Sequence, residues 1–148
     1  MMDMAIWGDY LRLLDKLGDT LEQLTEIERT ETAAVGRGDL KGVEECMKRE
    51  QVVSLSLRGT EQKREKMLAQ LGLSGVPLRE LEERGPRETH METRRVVESL
   101  RRKYEVFQSA SDVARNTLEC NLHAIEQMQR AKDAPPEEDH PRRADFRA

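Results

Sequence analysis

The stretch ARNTLECNLHAIEQM, residues 114–128, sets several potentially reactive side chains among aliphatic residues. Cys120 and His123 stand three positions apart, and Asn116 and Asn121 lie close to them. On a helix, a Cys and a His at this spacing could be half of a metal site or a reactive thiol pair. They could also be ordinary parts of a helix that packs against another helix.

A metal site at Cys120 lacks partners in the sequence. A structural zinc site takes four ligands, generally including a second pair of Cys or His. The remaining candidates stand in separate segments of the chain: Cys46, His90 and His140. We therefore expect no metal. We expect Cys120 to be a small apolar packing residue and His123 to face solvent.

Catalytic chemistry has no candidate residues. A reactive thiol needs a cationic or helix N-terminal setting, whereas Cys120 is in mid-helix beside Glu119. The chain has no glycine-rich phosphate loop and neither an H-E-x-x-H nor a G-x-S-x-G motif. The many glutamates are predicted to lie along outer helix faces, with no two of them paired in a pocket. We expect neither an enzyme nor a cofactor.

The composition is typical of long amphipathic helices. Charged residues make up 36% of the chain and aromatic residues only 3%, which leaves little material for a thick core or a sheet. The net charge of −4 has mixed signs and gives no general attraction to nucleic acid or to an anionic membrane. Two distant cysteines, no secretory leader and only short apolar runs predict a cytoplasmic protein without membrane insertion.

Apolar periodicity predicts the first two long helices. The first runs from about Asp3 to Val35 and ends at the glycines of GRGD (36–39), where Asp39 can cap the second helix, at about 40–71. The middle of the second helix, RGTEQKREK (58–66), has no apolar residue. Either the helix projects beyond its partner there, which we favour, or it carries a loop around its glycine.

A short helix and a long last helix complete the predicted architecture. The short helix follows GLSGVP (72–77) and ends at Gly85. Thr89 and Glu92 form a T-x-x-E capping box at the start of the last helix, which continues to about Lys132.

The predicted fold class is all-α: an elongated antiparallel helical hairpin or bundle of three long helices plus one short helix. This helical domain covers residues 1–132. Residues 133–148 contain three prolines and no periodicity, which predicts a disordered C-terminal tail.

The last helix carries the apolar seam of a coiled coil. The seam positions hold Val97, Leu100, Tyr104, Phe107, Ser111, Ala114, Leu118, Asn121, Ile125 and Met128. Between about 106 and 125, residues beside the seam such as Val106, Val113 and Leu122 make the apolar arc wider than a two-helix contact needs. Either the first two helices both pack here and cover the arc, or part of it is a docking stripe for a partner's helix.

These features resemble the FlgN family of flagellar type III export chaperones over roughly residues 8–132. The resemblance rests on TAAVGRGDLKGVEECMKREQ (32–51) at the end of a leucine-striped first helix, on KREKMLAQLGLSG (63–75), and on RNTLECNLHAIEQM (115–128) in a long last helix. It implies a bacterial, cytoplasmic chaperone for the hook–filament junction proteins FlgK and FlgL. Such a chaperone binds the helical C-terminal ends of these clients and delivers them to the export gate protein FlhA during flagellum assembly.

The resemblance also implies a client-binding site on the last helix, which carries over to Val113, Leu118, Asn121, Leu122, Ile125 and Met128. Gate docking in the family relies on a tyrosine near the C-terminus. This chain has no tyrosine after Tyr104, and Phe146 is the aromatic residue that could substitute for it. The alternative function is a homo-oligomeric coiled-coil scaffold with no export client, which explains the heptads equally well. The oligomeric state stays open.

Overall fold

Three long helices dominate the fold. The computed structural model describes residues 2–133, apart from the side chains of residues 123–125 and 128. The elements are α1 (Met4–Arg37), α2 (Leu40–Gln70), a 3-10 turn (Leu78–Glu80), α3 (Leu81–Arg84), a second 3-10 turn (Arg87–Thr89) and α4 (His90–Asp133). No strand occurs between residues 2 and 133, and the predicted all-α architecture is confirmed. Of the predicted tail, residues 133–148, Asp133 is the last residue of α4, and residues 134–148 lie outside the described residues.

The ends of α1 and α2 are fixed by local hydrogen bonds. The side chain of Asp3 accepts hydrogen bonds from the first backbone N–H groups of α1. Gly38 ends α1 in the left-handed conformation, with φ 70°, and donates its N–H to the carbonyl of Val35 at 3.0 Å. Oδ1 of Asp39 accepts from the N–H of Gly42 at 2.9 Å. A tight turn therefore joins the two helices, and the predicted cap at Asp39 is confirmed.

The central helix is α1, which packs against α2 on one side and α4 on the other. It runs antiparallel to α2, because Val43 packs near the end of α1 whereas Arg64 reaches Tyr10 near its start. It runs parallel to α4, because contacts advance along both helices together. None of the described helices has a stretch long and apolar enough to cross a lipid bilayer.

The parallel pairing of α1 and α4 begins at Trp7. The indole Nε1 donates to Oγ1 of Thr89 at 2.9 Å, and that hydroxyl donates to the carbonyl of Pro86 at 2.9 Å. The predicted capping box is therefore wrong: Thr89 bonds Trp7 and Pro86, and no hydrogen bond joins it to Glu92 among the described residues. The helix begins instead through a 3-10 turn that follows Pro86.

Two apolar clusters lie at opposite ends of α1. The larger one holds the fully buried Trp7 and Tyr10 together with leucines and valines from the three long helices, from α3 and from the turn after α2: Leu11, Leu14, Leu17, Leu21, Leu68, Leu73, Leu81, Val96, Val97 and Leu100. The smaller one consists of Ala34, Val35 and Val43, with Leu40 and Leu118 packed against it. Both clusters involve α4, so they fix its position along α1.

The polar middle of α2 is helical throughout, including Gly59. The preference for a continuous helix is confirmed, but the expected projection beyond a partner is wrong. Arg64 lies half-buried against α1, with Nη1 at 3.5 Å from the hydroxyl of Tyr10, and it also pairs with Glu61 at 3.3 Å. A long cationic side chain therefore takes the place of an apolar one at this contact.

Gly85 gives a direct test of the packing around Trp7. A Cβ at this position would overlap the buried indole ring, although φ −85° suits alanine. We expect Gly85→Ala to lower the free energy of unfolding by about 1–3 kcal/mol, because overpacking forces the ring or the turn to move. Urea denaturation followed by circular dichroism measures this change.

The matched control is Gly59→Ala, the same substitution at an exposed helical site where a Cβ meets nothing within 4 Å. We expect it to raise the free energy of unfolding by about 0.5–1 kcal/mol, because alanine loses less backbone entropy than glycine in a helix. Equal effects from the two substitutions would contradict the packing described around Trp7.

Candidate functional site

The carboxyl-terminal end of α4 extends beyond the other long helices. Leu118 packs on the small cluster that contains Val35 of α1, and α1 ends at Arg37, two residues after Val35. By contrast, α4 continues to Asp133. We call residues 121–133 the overhang. At 1.5 Å per residue it is about 20 Å long.

The apolar seam of α4 continues onto the overhang, where the parallel pairing with α1 has ended. Leu118 is half-buried at the last contact, and Leu122 is 49% exposed. Nδ2 of Asn121 donates to the carbonyl of Thr117 at 2.7 Å, a bond within α4. Ile125 and Met128 are the next seam positions by helical spacing, but their side chains lie outside the described residues, as does Phe146.

Upstream of the overhang, the wide apolar arc is exposed on both sides of the contact with α1. Val106 and Val113 are 46% and 51% exposed, and they border an open recess of about 420 Å³ together with Arg29 and Thr32 of α1. Tyr104 is 57% exposed and borders a cavity of about 590 Å³ between α2 and α4. The interpretation that the first two helices cover the whole arc is therefore wrong.

The predicted seam is also wrong at Tyr104. Lys103 is less exposed than its neighbour Tyr104. Its Nζ pairs with Glu22 at 2.9 Å and with Asp19 at 3.8 Å, both on α1. These ion pairs hold the lysine at the helix contact, so the tyrosine turns towards the cavity. The acidic partners of Lys103 on α1 are visible in the sequence, but only the parallel pairing of α1 and α4 brings them to it.

Two of the six predicted client-binding residues, Val113 and Leu122, lie on different sides of α4. Val113 and Leu122 are nine positions apart, which places them about 180° apart around α4. Leu118 contributes to packing within the chain, whereas Leu122 is available on the overhang. Residues 118–128 form one stripe by position, and Val113 belongs to the recess on the other side.

Cys120 and His123 do not form a described pair. Cys120 is exposed, so the expectation of a packed apolar filler is wrong, although its position at the margin of the arc agrees with the sequence. The side chain of His123 lies outside the described residues. The other cysteine, Cys46, is buried on α2 against α1.

A cluster of three carboxylates lies between α1 and α2, and the expectation that the glutamates lie only on outer faces is wrong here. Glu28 and Glu31 stand one turn apart on α1 and are each 5% exposed. Half-buried Glu50 comes from α2, and one carboxylate oxygen of each residue lies within 4.8 Å of the other two. Their helical spacing was visible in the sequence, but their pairing with Glu50 depends on the register of the two helices.

Burial and mutual repulsion change the acidity of this cluster. Burial, followed by the charges of Glu50 and Glu31, raises the pKa of Glu28 to about 7, although Arg115 of α4 acts in the opposite direction. Burial and the charge of Glu50 also raise the pKa of Glu31. Part of the cluster is therefore protonated at neutral pH when no cation is bound.

The comparisons with known proteins point to one family. The family model described as FlgN protein matches residues 7–134, which is most of the chain. No curated protein and no solved structure matches the chain. The match spans all of the described helices from Trp7 onward, including the overhang.

The raised pKa of Glu28 predicts a pH-dependent stability. Between the ordinary pKa of 4.5 and the folded value of about 7, the folded state binds more protons than the unfolded state, so stability falls as pH rises through this window. We expect Glu28→Gln to remove this loss and to raise the free energy of unfolding by about 1–3 kcal/mol at pH 8 relative to wild type. Urea denaturation in the presence of a chelator at pH 5 and pH 8 measures it.

The control is Glu26→Gln, an exposed position on the same helix. It should leave the change in the free energy of unfolding between pH 5 and pH 8 as it is in wild type. If the free energies of unfolding of wild type and Glu28→Gln differ by the same amount at every pH, the raised pKa is contradicted.

Proposed function

This chain belongs to the FlgN protein family, a family of flagellar export chaperones, and on that premise we propose that it is a cytoplasmic chaperone for FlgK and FlgL. It binds the helical C-terminal ends of these hook–filament junction proteins and delivers them to the type III export gate. The observation that carries the proposal is the overhang, where the seam of α4 continues after α1 has ended.

The client site that we propose is the seam face of α4 from Leu118 to Met128. Upstream, α1 packs along this face, so a client helix can take the equivalent place beside the overhang. Leu118, Leu122 and Ile125 are spaced as helix-in-groove anchors, at i, i+4 and i+7. Their burial against a client contributes roughly 25 cal/mol per Å² of apolar surface.

Asn121 supplies a polar contact within this stripe. Its Nδ2 is bonded to the carbonyl of Thr117, and its side-chain oxygen accepts no hydrogen bond from a described residue. A donor on the client can use that oxygen. A polar residue at a seam position favours one register of helix pairing at some cost in affinity.

We place Val113 outside the primary client site. One client helix that covers the overhang does not reach the recess around Val113, because Val113 lies about 120–180° around α4 from Leu118, Leu122 and Ile125. The exposed recess favours a second candidate function, a scaffold that self-associates through α4. Light scattering distinguishes the two: the chaperone is a 17.1 kDa monomer that forms a one-to-one complex with FlgK, whereas the scaffold is an obligate oligomer.

The gate contact is proposed for the tail. In this proposal, residues 1–132 act as the chaperone domain, and residues 133–148 carry Phe146 to the cytoplasmic domain of FlhA. The aromatic ring replaces the tyrosine on which family members rely, and it keeps the apolar body while lacking the hydroxyl.

Leu122→Glu tests the client site. We expect the variant to bind a helical C-terminal segment of FlgK at least about 10-fold more weakly, because it loses the burial of a leucine, about 1.5–3 kcal/mol, and puts a charge into the interface. Isothermal titration calorimetry measures the dissociation constant. Circular dichroism should show unchanged helix content, because Leu122 is exposed in the free chain.

Val113→Glu is the matched control, because Val113 is an equally exposed apolar residue on the same helix. It should bind FlgK within about 2-fold of wild type, since a change outside the interface leaves the binding free energy nearly unchanged. Full binding by Leu122→Glu, or an equal loss in the two variants, would place the client site elsewhere.

Phe146→Ala tests the gate contact. We expect this variant to lose binding to the cytoplasmic domain of FlhA in a pull-down while it binds FlgK like wild type, because the two contacts lie on separate parts of the chain. Unchanged FlhA binding would remove Phe146 from the proposal and leave the client site unaffected.

A further inference from the structure

The buried carboxylates between α1 and α2 have the arrangement of a ligand set. Glu28 and Glu31 point from successive turns of α1, Glu50 comes from α2, and one oxygen of each lies within 4.8 Å of the others. Two oxygens that each lie about 2.4 Å from one cation are at most about 4.8 Å apart, so this spacing suits a single ion. The cluster lies upstream of the overhang, near Arg115 of α4, in the stretch of the hairpin between the two apolar clusters.

A second, independent observation concerns the carboxylate of Glu31. Its side chain is 95% buried, since 5% is exposed, and its Oε2 is a buried atom that accepts no hydrogen bond from any described residue. A buried carboxylate oxygen without a donor or a cation is strongly disfavoured. This atom belongs to a carboxylate that faces Glu28 and Glu50, so a cation placed between them would satisfy it.

Among the described residues, no basic group forms an ion pair with the cluster, although the charge of Arg115 lowers the pKa of Glu28. None of the ion pairs within residues 2–133 includes Glu28, Glu31 or Glu50, and Arg115 of α4 pairs with Asp112 at 3.6 Å. Arg49 on α2 is exposed. Charged ligands packed together in this way need either protons or a metal ion.

We propose that Glu28, Glu31 and Glu50 bind one hard divalent cation of the Mg²⁺, Ca²⁺ and Mn²⁺ class, which holds α1 and α2 together. Carboxylate oxygens are the preferred ligands of these ions. The donor set contains oxygen alone: the nearby Cys46 is buried, and burial raises the pKa of its thiol, so it offers no thiolate for a softer metal. This site goes beyond the proposed client binding and involves different helices.

Binding of Mn²⁺ to the full-length protein tests the proposal. After treatment with chelator, the wild-type chain should bind one Mn²⁺ per molecule at pH 7.5, seen as loss of the free-ion signal in electron paramagnetic resonance. Saturating Mn²⁺ should raise the midpoint of thermal unfolding by about 4 °C or more, because the ion binds only the folded state. Competition by Mg²⁺ and Ca²⁺ then identifies which ion of the class binds more tightly.

Glu31→Gln and Glu50→Gln should each weaken Mn²⁺ binding at least 10-fold and remove the thermal shift, whereas Glu26→Gln on the exposed side of α1 should keep both. Circular dichroism shows whether each variant folds. If one of the two fails to fold, the other still tests the site. The proposal is overturned if wild type binds no Mn²⁺ at 1 mM, if the folded variants bind it as wild type does, or if only Zn²⁺ binds. None of these outcomes depends on FlgK binding, so they leave the client site untouched.

Discussion

The parallel pairing of α1 and α4 is the constraint on which the rest of the structure depends. Trp7 and Thr89 fix where the pairing begins, through a partly buried hydrogen bond of 2.9 Å. Gly38 fixes where α1 ends, because its left-handed conformation closes the helix and Asp39 starts the next one. With both ends set, a last helix of 44 residues must extend past a first helix of 34. The overhang is the direct result of this difference in length.

The buried interior along α1 changes in composition from one part of the helix to the next, and this affects stability. The two apolar clusters lie towards the two ends of α1, while the stretch between them carries Glu28, Glu31 and the thiol of Cys46 beside the buried Leu24 and Ile27. The carboxylates add repulsion where a helical hairpin would ordinarily gain from leucine packing. Local stability is therefore not uniform along the hairpin of α1 and α2. In the middle of the hairpin, it depends on whether protons or a cation occupy the carboxylate cluster. The proposed client site begins at Leu118, which packs on the smaller apolar cluster.

The sequence predicted those parts of the structure that depend on neighbouring residues. Helix ends at Gly38 and Asp39 were predictable because glycine and aspartate act through bonds to the adjacent backbone. Thr89 was misread because its real partner, Trp7, is 82 positions away. The burial of Glu28 was missed for the same reason, since only the register with α2 brings Glu50 to it. Of the candidate site, the stripe on α4 and the angle between Val113 and Leu122 follow from helical spacing, but the recess beside Val113 depends on where Arg29 and Thr32 of α1 lie.

Hydrogen exchange along α4, measured by mass spectrometry with and without a C-terminal segment of FlgK, tests the central claim most directly. In the free chain, amides of the overhang should exchange much faster than those near Leu100, because α1 ends before the overhang whereas Leu100 lies in the larger apolar cluster. On addition of the client, protection should appear across residues 118–130 and leave the stretch around Val113 unchanged. Protection confined to the recess at Val106 and Val113, or to the cavity beside Tyr104, would contradict the account.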